Sequence, residues 1–238
     1  MGHIRKLIFN SNNEKMIASF TTYKKEKLMG IDDRIKVIMQ KMDKLKGKNR
    51  KITCGEFPPR WEATLTEQVV ADYEAEHKIT LPKDYRRFIT TVAAGGTQPF
   101  YGMYSLTWCV REYELRADVK EKFPYTVRKP LNVYELTDEE YADLYDRNEP
   151  NVDVGYIPLC HEGDGMYSIL IVNTDDEETY GTVWYYDLCN DAGIYPLIHP
   201  NTKQTMNFLD WLEYYVDRTL ELDDEDYFGY AELTGVLE

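Results

Sequence analysis

Cys160 and His161 are adjacent in Tyr156-Ile-Pro-Leu-Cys-His161, and a thiol beside an imidazole is the pairing that thiol hydrolases use. With Cys189 or His199 the same side chains would also suit zinc. The flanking residues read as a strand, however, and neighbours on a strand point to opposite faces. Cys160 and His161 therefore do not share one task, and the thiol reads as core. Two carboxylate clusters come next, Glu162-Gly-Asp-Gly165 and Asp175-Asp-Glu-Glu178. Neither has the fixed ligand positions and closing Glu of the calcium loop. His77 has no acid or nucleophile beside it in sequence and reads as a dipole-matched residue near a helix C-terminus. Cys54, Cys109, Cys160 and Cys189 form no C-x-x-C pair and read as reduced, mostly buried thiols. No G-x-S-x-G elbow, Walker A loop, H-E-x-x-H or G-x-G-x-x-G is present. The common enzyme classes are thereby disfavoured, no metal or cofactor is expected, and an enzyme using Cys160 or the loop carboxylates is left as the last alternative.

The elements that would position these residues are easier to read. Ile79–Gly96 is the best-specified stretch. Pro82 suits a first helical turn, and Tyr85, Phe88, Ile89 and Val92 share one face. Gly95-Gly96 stands where a left-handed cap is expected. Before it, Thr64-x-x-Glu67 has the form of a capping box, with Leu65, Val69, Tyr73 and His77 along one helix face. Ile31, Ile35, Ile38, Met42 and Leu45 form an earlier stripe flanked by lysines. Such a basic amphipathic helix suits calmodulin or a membrane surface, but its short length favours docking on the rest of the chain. Residues 100–134 mix aromatic and β-branched residues without a decisive period. Thr137-x-x-Glu140 opens a short acidic helix through Tyr145.

From Tyr156 the pattern changes to strands: Tyr156–Cys160, Met166–Val172 and Thr182–Asp187 read as an antiparallel meander. Asp191–Pro196 reads as a further turn. Asn207-x-x-Asp210 caps a last helix with Phe208, Leu209, Leu212, Tyr215, Val216 and Leu220 on a broad apolar stripe. Asp223-Asp-Glu-Asp226 marks an acidic tail expected to be solvated.

Charge is unevenly distributed. Residues 1–53 carry 14 Lys and Arg against 5 Asp and Glu, about +9, while the rest carries 14 against 37, about −23. An acidic body disfavours direct contact with nucleic acid and speeds encounter with a basic protein. Twenty tyrosines add residues that serve both cores and interfaces. No apolar run reaches membrane-span length and no signal-peptide pattern is present, so a cytoplasmic protein without membrane contact is expected.

Seven short motifs occur in an order similar to that of the SUKH superfamily: Leu81-Pro-x-Asp-Tyr-Arg-x-Phe88 with Gly95-Gly96, Tyr101-Gly-x-Tyr-Ser-Leu106, Ile157-Pro-Leu-Cys-His161, Gly181-x-Val-Trp184, Asp191-x-Gly-Ile-Tyr-Pro-Leu197 and Phe208-Leu-x-Trp211. The resemblance implies an α+β fold, a bent, mainly antiparallel sheet with helices packed against it, acting as a protein-binding module without catalytic residues or cofactor. It divides the chain into a basic N-terminal arm (1–30), a single SUKH-like domain (31–221) and an acidic C-terminal tail (222–238). Bacterial relatives neutralise polymorphic toxins, and fungal ones scaffold signalling and cell-wall synthesis. The acidic body favours the first role, with a basic toxin domain such as a nuclease as partner. Aromatic anchors among carboxylates would supply affinity, and the candidates are Asp138, Glu139, Tyr141, Asp143 and Tyr145 with Asp175, Asp176, Glu177 and Tyr180. Tyr85, Phe88, Trp184, Phe208 and Trp211 read as core, and Gly95, Gly96 and Gly193 as backbone devices.

Overall fold

The computed structural model describes residues 29–48, 56–106, 117–145, 152–223 and 226–237. The N-terminal arm up to residue 28, Cys54 and Cys109 lie outside them. Among the described residues, five helices and a five-stranded sheet follow in the order α1 (Ile31–Leu45), α2 (Glu67–His77), α3 (Lys83–Thr91), β1 (Leu131–Asn132), α4 (Asp138–Tyr145), β2 (Tyr156–Gly163), β3 (Met166–Ile171), β4 (Val183–Asp187), β5 (Gly193–Pro196) and α5 (Phe208–Glu221). A 3-10 turn at Val133–Glu135 precedes α4, and another at Tyr230–Leu233 closes the chain. The fold is α+β, as expected.

β2, β3, β4 and β5 form an antiparallel meander, with β1 added beside β5. Ile169, Ile171, Trp184, Tyr186 and Ile194 point to one face, where Phe123, Val127, Leu131 and Val133 cover them. Leu170, Val172, Val183 and Tyr185 point to the other, where α3, α5 and α1 lie. Both faces are dry, which explains why Ile169–Val172 is uninterruptedly apolar. The stretch 191–196 is not a turn throughout. From Gly193 it pairs with both β1 and β4, and the register places Gly193 opposite Asn132 and Asp187. Gly193 has φ +138, and a Cβ there would lie 2.1 Å from the Leu131 carbonyl oxygen, so the crossing needs glycine.

The helices follow their stripes with instructive exceptions. In α1, Ile35, Ile38, Met42 and Leu45 are buried against α5, and the basic residues dock as well. Arg34, 6 % exposed, pairs with Asp210 and Glu213 at 3.0 Å each, and Lys41 reaches Glu213 (2.8 Å) and Asp217 (2.9 Å). The amphipathic helix is thus folded back on the acidic body. α2 begins two residues later than Thr64 suggested. Leu65 N–H is held by the Ile89 carbonyl (3.0 Å), which keeps Leu65 extended, and Thr66 becomes the cap, accepting from Val69 N–H. The buried residue of α2 is consequently Val70, while Val69 faces outward.

In α3, Pro82 is the N-cap residue, and Tyr85, Phe88 and Ile89 are buried. Gly95 and Gly96 are not left-handed. α3 ends at Thr91, and these glycines permit close packing instead: a Cβ on Gly96 would lie 2.7 Å from the Trp61 ring. The remaining capping box forms, Thr137 with Glu140, and the expected Asn207 cap is reciprocated by Asp210, making a second box. The five aromatic residues read as core, Tyr85, Phe88, Trp184, Phe208 and Trp211, are all buried.

The C-terminal segment overturns the expectation of a solvated tail. Phe228, Tyr230 and Leu233 are buried, Tyr230 Oη donates to the Trp211 carbonyl (2.6 Å), and Leu237 N–H donates to Val127 (2.9 Å). The segment opens on a run of acids, Asp223 to Asp226. Its apolar side chains nevertheless interleave with the acids and close the core beneath α5.

Candidate protein-binding surface

The residues whose types could have made a thiol or metal site are dispersed, as the strand alternation at Cys160 and His161 required. Cys160 is fully buried, and burial, followed by the nearby Glu162 carboxyl, pushes its thiol well above the usual range. A thiol in that environment is not a nucleophile. His161 lies on the other face of β2, between the rings of Tyr101 (5.3 Å) and Tyr167 (4.9 Å). Cys189 is exposed in the β4–β5 turn, while His199 is buried and accepts from Asn201 N–H at 3.2 Å. Glu162 and Asp164 do not converge either, since Glu162 points into the core and Asp164 sits at an exposed turn with φ 47. Among the described residues no group of three His, Cys, Asp or Glu side chains is placed to hold a metal ion.

The acidic tyrosine helix is arranged differently. No residue of α4 is buried, and only Leu144 leans on the core beneath it. Asp138, Glu139 and Asp143 face solvent. Tyr141 and Tyr145, both about two-fifths exposed, pack ring to ring at 4.8 Å. Both hydroxyls donate to one oxygen of Asp191, at 3.1 Å and 2.6 Å, and Tyr145 Oη also lies 3.1 Å from the Leu188 carbonyl. Hydrogen bonding to the Asp191 carboxylate is the main cause that raises the Tyr141 hydroxyl, and burial followed by Asp191 raises that of Tyr145. Both phenols remain neutral donors. Tyr134, on the turn before α4, is 78 % exposed. Two anchored rings and one projecting ring are therefore presented among unburied carboxylates.

The second group of candidates, Asp175, Asp176, Glu177 and Tyr180, lies in the β3–β4 loop, and its charges are largely matched. Asp175 pairs with Lys122, and Glu178 pairs with Arg128 at 3.0 Å. Asp176 accepts from the buried Thr179 hydroxyl, whose oxygen in turn accepts from Val127 N–H (3.0 Å). Tyr180 Oη donates to the Thr80 carbonyl (2.7 Å). Glu177 is exposed and makes no ion pair among the described residues. This loop enters β4, whereas α4 leans on the turn that leaves β4. The five residues of β4 separate the two groups by roughly 17 Å. The structure does not bring them into one patch.

Sequence reasoning missed two features. Asp191 was read only as part of a turn, although a carboxylate in a tight turn facing two tyrosines is their natural acceptor. Glu162, 4 % exposed, is a buried carboxyl that accepts from Ser168 Oγ (2.5 Å), and Ser168 Oγ also accepts from Trp211 Nε1 (3.0 Å). No sequence signal identifies that burial, because Glu162 reads as the start of a Gly- and Asp-rich turn, whereas it lies within β2.

A five-stranded antiparallel sheet with helices packed against it, an exposed tyrosine–carboxylate surface and a buried thiol describe an α+β protein that displays a surface. The chain belongs to the SMI1 / KNR4 family (SUKH-1), which it matches over residues 64–213. That family includes toxin immunity proteins, and its members are generally immunity proteins or regulators without catalysis. Neither the curated proteins nor the solved structures contain a match.

Proposed function

We propose that this protein is an immunity-type inhibitor that binds and neutralises a cognate toxin domain of basic surface, such as a nuclease, without catalysis of its own. The observation that carries the reading is the α4 surface, where Tyr141 and Tyr145 are held by Asp191 and Tyr134 projects nearby among unburied carboxylates. Interfaces draw most of their energy from a few rigid aromatic anchors, and surrounding charge sets encounter rate and selection. The hydrogen bonds to Asp191 reduce the freedom that both rings would lose on binding. The β3–β4 loop is a secondary contact at most, because Lys122 and Arg128 already occupy two of its acids.

The test is co-expression with the toxin domain encoded beside this protein. The two should co-purify, and cells should survive the toxin. Replacing Tyr141 and Tyr145 together by Ala should weaken binding by about 2 kcal/mol or more, with the fold intact. A toxin that binds the double variant equally well would place the interface elsewhere. Several unrelated cellular partners and no neighbouring toxin would favour a scaffold of the fungal type.

A further inference from the structure

The sheet continues beyond β2. Met103 pairs with Cys160, Gly96 with Met103 and Trp61 with Gly96, all antiparallel, so three short extended segments prolong it. The outermost contains Arg60, Trp61, Glu62 and Ala63. Glu62 N–H donates to the Gly95 carbonyl and Thr97 N–H donates to the Arg60 carbonyl, both at 2.9 Å, so residues 60 and 62 turn their main-chain groups inward. Antiparallel alternation then turns the N–H and C=O of Trp61 and Ala63 outward. Among the described residues those four groups make no hydrogen bond. Pro58 and Pro59 limit the edge at one end, and the bond from Leu65 N–H to the Ile89 carbonyl draws the chain away at the other. The open edge is the length of one short peptide.

A cleft of about 410 Å³ runs beside this edge, lined by Glu56, Arg60, Trp61, Glu62, Thr97 and Tyr101. Tyr101 is 54 % exposed and Trp61 is half-buried, so the cleft has two aromatic walls. Arg60 is paired with Glu56, and the Glu62 carboxylate lies over Gly95, on the face away from the Trp61 ring. The backbone beneath cannot recede. A Cβ on Gly96 would already lie 2.8 Å from the Arg60 carbonyl oxygen, so the edge is seated hard on its neighbour.

We infer that this edge binds an extended, basic segment of a partner protein by strand addition, with an arginine or lysine side chain of that segment in the cleft against Trp61 and Tyr101. The outward main-chain groups supply register-independent affinity. The aromatic faces select a cation, and the acidic charge of residues 54–238 attracts a basic segment and repels an acidic competitor. The site shares no residue with the α4 surface, and it stands whether or not the partner is a toxin.

A synthetic peptide alternating threonine and valine around one central arginine serves as the probe, titrated into the full chain with amide exchange followed by NMR. Binding should protect the Trp61 and Ala63 amides. It should be abolished by N-methylating the peptide on its pairing side, weakened about tenfold by a central glutamate, and weakened about threefold by Tyr101→Leu. Ala63→Pro removes an outward N–H that has no native partner, so it should abolish binding without changing the melting temperature. Absence of binding, or affinity unaffected by N-methylation and by Ala63→Pro, would overturn the strand addition. Equal affinity for the glutamate peptide would overturn the cation site.

Discussion

Glu162 is the residue whose surroundings differ most from those its position in a Gly- and Asp-rich turn suggested. Burial pushes its carboxyl up to about 7 from an ordinary 4.5, against the opposing hydrogen bonds from Ser168 and Tyr230. The folded protein therefore binds more protons than the unfolded chain between those values, and stability falls as pH rises through that window. The contribution is fully present below pH 4.5 and lost above about 7. Its size is at most about 3–4 kcal/mol, taking about 1.4 kcal/mol per pKa unit over the rise from 4.5 to about 7. Urea denaturation across this range should show the decline, and Glu162→Gln should flatten it. Asp191 offers a second test at the same scale. Asp191→Ala removes the acceptor of two tyrosine hydroxyls on an exposed surface, so it should cost about 1 kcal/mol or less of stability while weakening partner binding measurably. A large stability loss with unchanged binding would mean that Asp191 only braces the turn.

Among the elements, α1 and the C-terminal segment do work that their composition concealed. Both press on α5, one through Arg34 and Lys41 and the other through Tyr230. Arg34→Ala would leave Asp210 and Glu213 buried without their guanidinium and should cost about 3–5 kcal/mol. Arg34→Met together with Asp210→Asn and Glu213→Gln should recover much of that loss, which separates charge from packing in thermal melts. Tyr230→Ala, at a fully buried ring stacked on Trp211, should cost a similar 3–5 kcal/mol. The helices themselves were largely legible. Ile35, Ile38, Met42 and Leu45 recur at helical spacing, and the box at Thr137–Glu140 and the cap at Asn207 formed as their residue types require. Thr64 misled because a cap is selected by where the backbone leaves the extended state. That point was decided by the Leu65–Ile89 hydrogen bond, between residues 24 positions apart.

For the whole molecule, the family match at residues 64–213 stops six residues into α5 and omits α1 and the final segment, yet all of these share one core. A chain cut to residues 64–213 should therefore lose cooperative unfolding, and calorimetry with a hydrophobic dye would detect it. The acidic body also implies that association with a basic partner slows as salt is added, over a Debye length of about 10 Å at 0.1 M. A rate independent of ionic strength would argue against steering. Sequence alone determined the meander, the amphipathic helix faces and the motifs of the family, because periodicity, caps and turns are local and each is written within a few neighbouring residues; the α+β class followed from the resemblance those motifs carry. Sequence also established that the body is acidic, since net charge is additive. Only the tertiary structure decided that Gly95 and Gly96 permit close packing rather than a helix cap, that Glu162 is buried, that the last residues complete the core, and that the two acidic tyrosine groups stand at opposite ends of β4. Those outcomes depend on which distant segment covers a given face. An apolar or polar pattern states that a face will be buried or exposed, but not what will lie against it.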